Sequence, residues 1–142
     1  MKSRTLFGAA LSLLLMTSGC GHLDVDAPVS DDRVLTGMIN YDLEAALPAD
    51  AVITVRVIDL SNPAAPMNVL GETTIEHPGT PPVPFRVEYR ATDQQLMHQV
   101  VVDARISFGG KLHFHTVGGH PVTLGNFSDT HVVKVEPTSG RW

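Results

Sequence analysis

From Val34 onward the chain alternates apolar and polar residues, and the alternation is cut at intervals by proline and glycine. The clearest stretch is 51–60, where Ile53, Val55 and Val57 fall on one face and Thr54 and Arg56 on the other. Phe85, Val87 and Tyr89 alternate with Arg86, Glu88 and Arg90. Val100, Val102, Ala104, Ile106 and Phe108 share a face opposite Asp103, Arg105 and Ser107. Successive side chains of a strand point to opposite faces, so this period marks half-buried antiparallel strands. Further strands are predicted over 34–41, over the less regular 69–75, over 111–116 with Leu112 and Phe114 facing inward, and over 131–136. Gly109-Gly110 between Phe108 and Lys111 favours a two-residue hairpin turn. Gly118-Gly119 and Pro121 break the strand that returns from that turn. Pro63 and Pro66, and then Pro78, Pro81, Pro82 and Pro84, mark loops or edge positions, because proline cannot donate to a ladder. Only 91–98 offers room for a short helical turn. About seven short strands without an amphipathic helix predict one all-β domain over 33–137, a small antiparallel β-sandwich or partly open barrel, with a tail over 138–142.

The pattern before Val34 is different. Lys2 and Arg4 precede an apolar run from Leu6 to Met16, which is the layout of a secretory signal. The run is shorter than the roughly 20 residues a helix needs to cross a bilayer. Thr17-Ser18-Gly19-Cys20 follows, and Cys20 is the sole cysteine of the chain. This segment resembles the bacterial lipobox, with Thr17 standing where leucine is usual. The resemblance implies cleavage between Gly19 and Cys20 and a covalent lipid on the Cys20 thiol. Residues 1–19 are then a signal peptide and 20–32 a tether with little apolar periodicity, whose acidic residues space the domain from an anionic surface. One acyl chain binds a bilayer only marginally, whereas the two or three of a mature bacterial lipoprotein anchor it stably. Gly21 occupies the position where an aspartate would retain such a lipoprotein in the inner membrane, so the resemblance implies the outer membrane, facing the periplasm.

Size and charge narrow the picture further. Removing 19 of the 142 residues leaves 123, enough for one domain with a genuine core. With its single thiol lipidated the domain has no disulfide, and its core alone must hold it together. Loss of Lys2 and Arg4 takes the formal net charge from −5 to −7, with eight basic residues against fifteen acidic ones. Such a surface argues against nucleic acid, which is bound by cationic faces that displace phosphate counterions.

Seven histidines are the obvious candidates for chemistry: His22, His77, His98, His113, His115, His120 and His131. His113 and His115 lie two apart on a predicted strand and so project from one face. They would hold a metal ion if a third ligand such as His120 or His131 reached them. The same pair also reads as an ordinary solvated strand face. Ser128-Asp129-Thr130-His131 contains the three residue types of a hydrolytic triad, but triads are assembled by geometry and not by adjacency. With no acid–base pair assignable, the chain reads as a non-enzyme with no cofactor beyond the lipid. Ile53, Val55, Val57, Phe85, Val87, Val102, Ile106 and Phe114 are first of all core residues. A fold left incompletely closed would expose some of them as a groove for a partner's strand or helix.

Several segments resemble the YbaY-type lipoproteins. They are Gly37-Met38-Ile39, Leu47-Pro48-Ala49-Asp50-Ala51-Val52-Ile53-Thr54-Val55, Val57-Ile58-Asp59-Leu60-Ser61, and Pro82-Val83-Pro84-Phe85 leading to Val87 and Tyr89. Ala104-Arg105-Ile106, Gly110-Lys111-Leu112 with Phe114, and Pro121-Val122 complete the likeness, which runs from about Thr36 to Glu136. This group is placed with the YscW-like lipoproteins, pilotins that help secretins of type III secretion reach the outer membrane. The resemblance implies a small β-rich periplasmic domain, a lipid anchor, no catalytic residues, and an outer-membrane or secretion-system protein as partner. The histidine pair is not part of that pattern.

Overall fold

The computed structural model describes residues 30–43 and 46–138. Eight strands and one helical turn follow in order: β1 (Asp32–Tyr41), β2 (Val52–Asp59), β3 (Asn68–Glu76), β4 (Val83–Arg90), α1 (Asp93–Leu96), β5 (Val100–Phe108), β6 (Lys111–His115), β7 (His120–Val122) and β8 (Thr130–Pro137). Seven strands form one continuous hydrogen-bonded path, β3-β2-β5-β6-β8-β1-β4, which curls into a nearly closed barrel. Of the two all-β architectures expected, the barrel is the one adopted.

Alternation explains which side chains fill it. In β4, Val83, Phe85, Val87 and Tyr89 are buried while Pro84, Arg86, Glu88 and Arg90 are exposed. Leu35 and Ile39 of β1, Val102 and Ile106 of β5, Phe114 of β6 and Val133 and Val135 of β8 join them in one cluster. The eight residues expected in the core are all buried there. Within β2 the register shifts between Val57 and Ile58, and both side chains are buried as a result. The turn α1 is tied off by a reciprocal cap: Gln95 N–H donates to Thr92 Oγ1 at 3.1 Å, and Thr92 N–H donates to Gln95 Oε1 at 2.9 Å. Its Leu96 is buried in the cluster.

Three features depart from the local pattern. First, β1 pairs β8 in parallel, from Thr36 opposite Thr130 to Tyr41 opposite Val135, while every other strand pair is antiparallel. Parallel neighbours need a long connection, and these two are joined through the whole intervening domain. Second, β7 resumes the broken strand: after Gly118-Gly119, His120 to Val122 pairs with the same strand β5 that β6 pairs with. Third, Leu112 is not in the core, being 39% exposed. The β5–β6 register jumps from Ile106 opposite Phe114 to Ser107 opposite Leu112, which leaves His113 as an extra residue. Leu112 thus shares the outer face of its partner Ser107. The hairpin itself is as expected, with Gly109 and Gly110 both at positive φ, 57° and 73°.

Candidate functional site: the open seam of the barrel

A sheet closes by pairing its last strand with its first, and here that final ladder is missing. The two end strands of the path, β3 and β4, lie side by side with no register between them. They meet at Gly71, where a Cβ would stand 2.2 Å from the Glu88 carbonyl oxygen and 2.6 Å from Tyr89 Cβ. Only glycine lets the two backbones come this near. Pro84 lies within β4, in keeping with the confinement of strand proline to sheet edges.

Outside this crossing, where β3 leaves β4, is a cleft of about 510 Å³ lined by Asp32, Arg33, Val34, Leu70, Glu88, Tyr89 and Arg90. Its apolar surface comes from Val34 and Leu70. Its rim is charged and internally paired. Arg90 Nε donates to Asp32 at 2.8 Å, Arg86 pairs with Glu88 at 2.6 Å, and across β2 and β3 Arg56 pairs with Glu72 at 2.5 Å. The hydrogen bond and charge of Arg90 hold the Asp32 carboxyl below the usual carboxylate range. Arg33 is held from three sides: its Nε donates to the Ala91 carbonyl at 2.8 Å, its Nη2 to Asp93 at 2.5 Å, and its guanidinium lies over the Phe127 ring. Burial pushes the Tyr89 hydroxyl above the ordinary phenol value, and no hydrogen-bond partner reaches it. Charges blunt the two edges against uncontrolled strand pairing, while the cleft crosses β4 with Leu70 of β3 on one side and Val34 of β1 on the other.

The histidines are distributed differently from the expectation. His113 stacks on Phe108, with ring centroids 3.6 Å apart and planes at 7°, and its Nε2 lies 3.1 Å from the Phe108 carbonyl oxygen. His115 sits opposite Arg105 and Glu136 in the ladders, with its Nδ1 buried and unpartnered. His120 and His131 do not join them. They pair with each other, Nε2 to Nδ1 at 3.0 Å and rings at 88°. His131, from the Ser128-Asp129-Thr130-His131 run, is only 3% exposed. Among the described residues no three His, Cys, Asp or Glu side chains are grouped to hold a metal ion. In this contact at 3.0 Å one ring nitrogen donates and the other accepts, because two N–H groups cannot face each other. Burial and the neighbouring His131 lower the pKa of His120. Gly19 and Cys20, the expected cleavage and lipidation positions, lie outside the described residues.

The residues of the seam were not singled out from the sequence. The signal available was Gly71 inside a β-prone run, since a glycine within a strand often marks close approach by another backbone.

The sequence profile of the family described as "Type III secretion system lipoprotein chaperone (YscW)" matches residues 30–135, well over half of the chain. An Escherichia coli (strain K12) protein described as "Uncharacterized lipoprotein YbaY" is 31% identical over 115 residues, which is 79% of this chain. The match spans 60% of the length of that relative. In three dimensions the chain is similar to a solved alternative pilotin from the type II secretion system of Vibrio cholerae. That likeness has a TM-score of 0.67 at 28% identity and covers 77% of this chain and 99% of the pilotin. The match over residues 30–135 makes this chain a member of the YscW family of lipoprotein chaperones.

Proposed function

We propose that the protein is a non-catalytic, pilotin-like lipoprotein. In this reading it is anchored in the outer membrane by lipid on Cys20, faces the periplasm, and holds a segment of a secretion-system protein, a secretin, at the seam between β3 and β4. The observation that carries the reading is the missing ladder. Neither strand completes a ladder with the other, and Val34 and Leu70 supply apolar surface in the cleft beside their close contact at Gly71. The family description as a lipoprotein chaperone and the likeness to a type II pilotin support the same partner class.

A photo-crosslinking amino acid at Val34, on the exposed wall of the cleft, tests the site in intact cells. The expected product is an adduct with an outer-membrane secretion protein, absent when the crosslinker stands at Val132 on the outer face of β8. Equal products from both positions, or no envelope protein at Val34, would sink the seam as the binding site. The anchor is tested separately. Cys20→Ala is expected to move the protein out of the membrane fraction or to leave it unprocessed, and unchanged processing and fractionation would refute lipidation.

A further inference from the structure

The exposed loop 60–67 joins β2 to β3 and reads Leu60-Ser61-Asn62-Pro63-Ala64-Ala65-Pro66-Met67. It contains no charged residue in a chain with 25 of them, and every one of its residues is exposed. Leu60, Asn62, Pro63, Ala65, Pro66 and Met67 line one cleft of about 420 Å³ together with Asp59 and Gln99 at its edge. Met67 is 53% exposed, and Met97, at the end of α1, is 65% exposed. Scattered single apolar residues on a surface need no explanation, but a charge-free apolar loop does.

Its place in the fold supplies one. The loop is tied to α1 and the segment after it: Leu60 N–H donates to the Gln99 carbonyl at 2.7 Å, and Gln95 Nε2 donates to Asp59 at 3.2 Å. The start of β1 is tied to the segment leading into the same α1. Ala91 N–H donates to the Asp31 carbonyl at 3.0 Å, and Arg33 reaches both Ala91 and Asp93. The four residues of α1 rise only about 6 Å. The apolar loop and the point where the chain arrives from Cys20 are therefore at the same end of the barrel. Ten residues separate Cys20 from Ser30, and fully extended they span at most about 35 Å.

We propose that this end of the barrel rests on the lipid surface, with loop 60–67 and Met97 dipping into the headgroup region. The inference rests on the anchoring at Cys20 proposed above. The tether holds the loop at high effective concentration beside the bilayer, so a contact too weak to recruit a free domain suffices to orient a tethered one. Methionine, leucine and proline enter the interface without the desolvation cost of a charge. Asp31, Asp32, Asp59 and Asp93 lie at the same end, and its arginines Arg33 and Arg90 are paired with Asp93 and Asp32, so the attraction is to the apolar boundary of the bilayer rather than to anionic headgroups. The opposite end, at the Gly109-Gly110 turn, points away from the membrane.

The test uses the full lipidated protein in phosphatidylethanolamine–phosphatidylglycerol vesicles with brominated acyl chains. Trp142 is first replaced by phenylalanine, and a single tryptophan is then placed by Met67→Trp, Met97→Trp or, at the far end, Leu112→Trp. The expected result is quenching at positions 67 and 97 at least about twofold stronger than at 112, since bromine quenches only over short range. Protein that sediments with the vesicles but is quenched equally at all three positions, or at none, overturns the orientation and leaves the anchor standing. Protein that does not sediment with the vesicles overturns the anchor and the orientation with it.

Discussion

The barrel has two junctions that depart from its antiparallel ladders, and they are built in opposite ways. Between β1 and β8 six consecutive residue pairs form a parallel ladder that locks the two ends of the domain together. Between β3 and β4 the strands are adjacent in sequence and in space, yet no ladder forms. Each junction has a glycine at its tightest point. A Cβ at Gly37 would stand 2.2 Å from the His131 carbonyl oxygen and 2.6 Å from the Phe85 ring, and one at Gly71 would stand equally near the Glu88 carbonyl oxygen. The difference lies in what can yield. Gly37 is flanked on both sides by paired strands, β4 and β8, which a ladder holds about 4.8 Å away. Gly71 belongs to a strand paired only with β2, and no ladder holds it to β4. One junction is locked by a ladder, and the other is held by packing alone.

The comparison is broken most directly by the same substitution at both glycines. Gly37→Ala is expected to cost about 3 kcal/mol in urea unfolding, because the clash is with backbone and a buried ring that cannot retreat. Gly71→Ala is expected to cost nearer about 1 kcal/mol, with the strain relieved by parting of β3 from β4. Faster amide exchange confined to β3 and β4 in that variant would locate the movement. Equal losses at the two sites would mean that the seam is as rigid as the ladder.

A smaller effect separates the strand β8 side from the seam by its pH dependence. The folded pKa of His120 is depressed, so the unfolded chain binds more protons as pH falls. The stability this pair contributes is present above the ordinary imidazole value of 6.5 and is lost progressively as pH drops below it. The urea midpoint is expected to fall between pH 7.5 and 5.5, and to fall less in His120→Gln. Carboxylates such as Asp32, held low by Arg90, respond only at more acid pH. An unchanged pH slope in the variant would remove His120 as the responsible group.

The smallest effect has the opposite sign. The Tyr89 hydroxyl is buried without a partner, whereas that of Tyr41 donates to the Gly79 carbonyl at 3.2 Å. Tyr89→Phe is expected to leave stability unchanged or raise it by up to about 1 kcal/mol, and Tyr41→Phe to lower it by about 0.5–1 kcal/mol. A clear loss in Tyr89→Phe would show that its hydroxyl is satisfied in solution.

Much of the fold was legible because alternation is a local property. The faces of β2, β4 and β5 follow from which residues occupy every second position, and the Gly109-Gly110 turn follows from two glycines at positive φ. Local reading failed where a register shift intervened. Leu112 continues the alternation of Phe114 in sequence, but the extra residue at His113 turns it outward. The candidate site was less legible than the fold. His113 and His115 were legible as a pair, but a pair two apart says nothing about a third ligand. The structure sends His120 and His131 to each other instead.

By itself, the sequence determined the class of the domain, the positions of most strands, the identity of the core and the lipobox-like segment ending in Cys20. Each of these depends on residues within a few positions of one another. Only the tertiary structure decided that β1 and β8 run parallel, that β3 and β4 stay unpaired, and that two histidines eleven residues apart meet ring nitrogen to ring nitrogen. A strand's alternation states which face is buried and is silent about which neighbour it meets, because every half-buried strand offers the same row of backbone donors and acceptors. The choice of neighbour is made by the whole barrel, and so is the gap that gives this protein its candidate site.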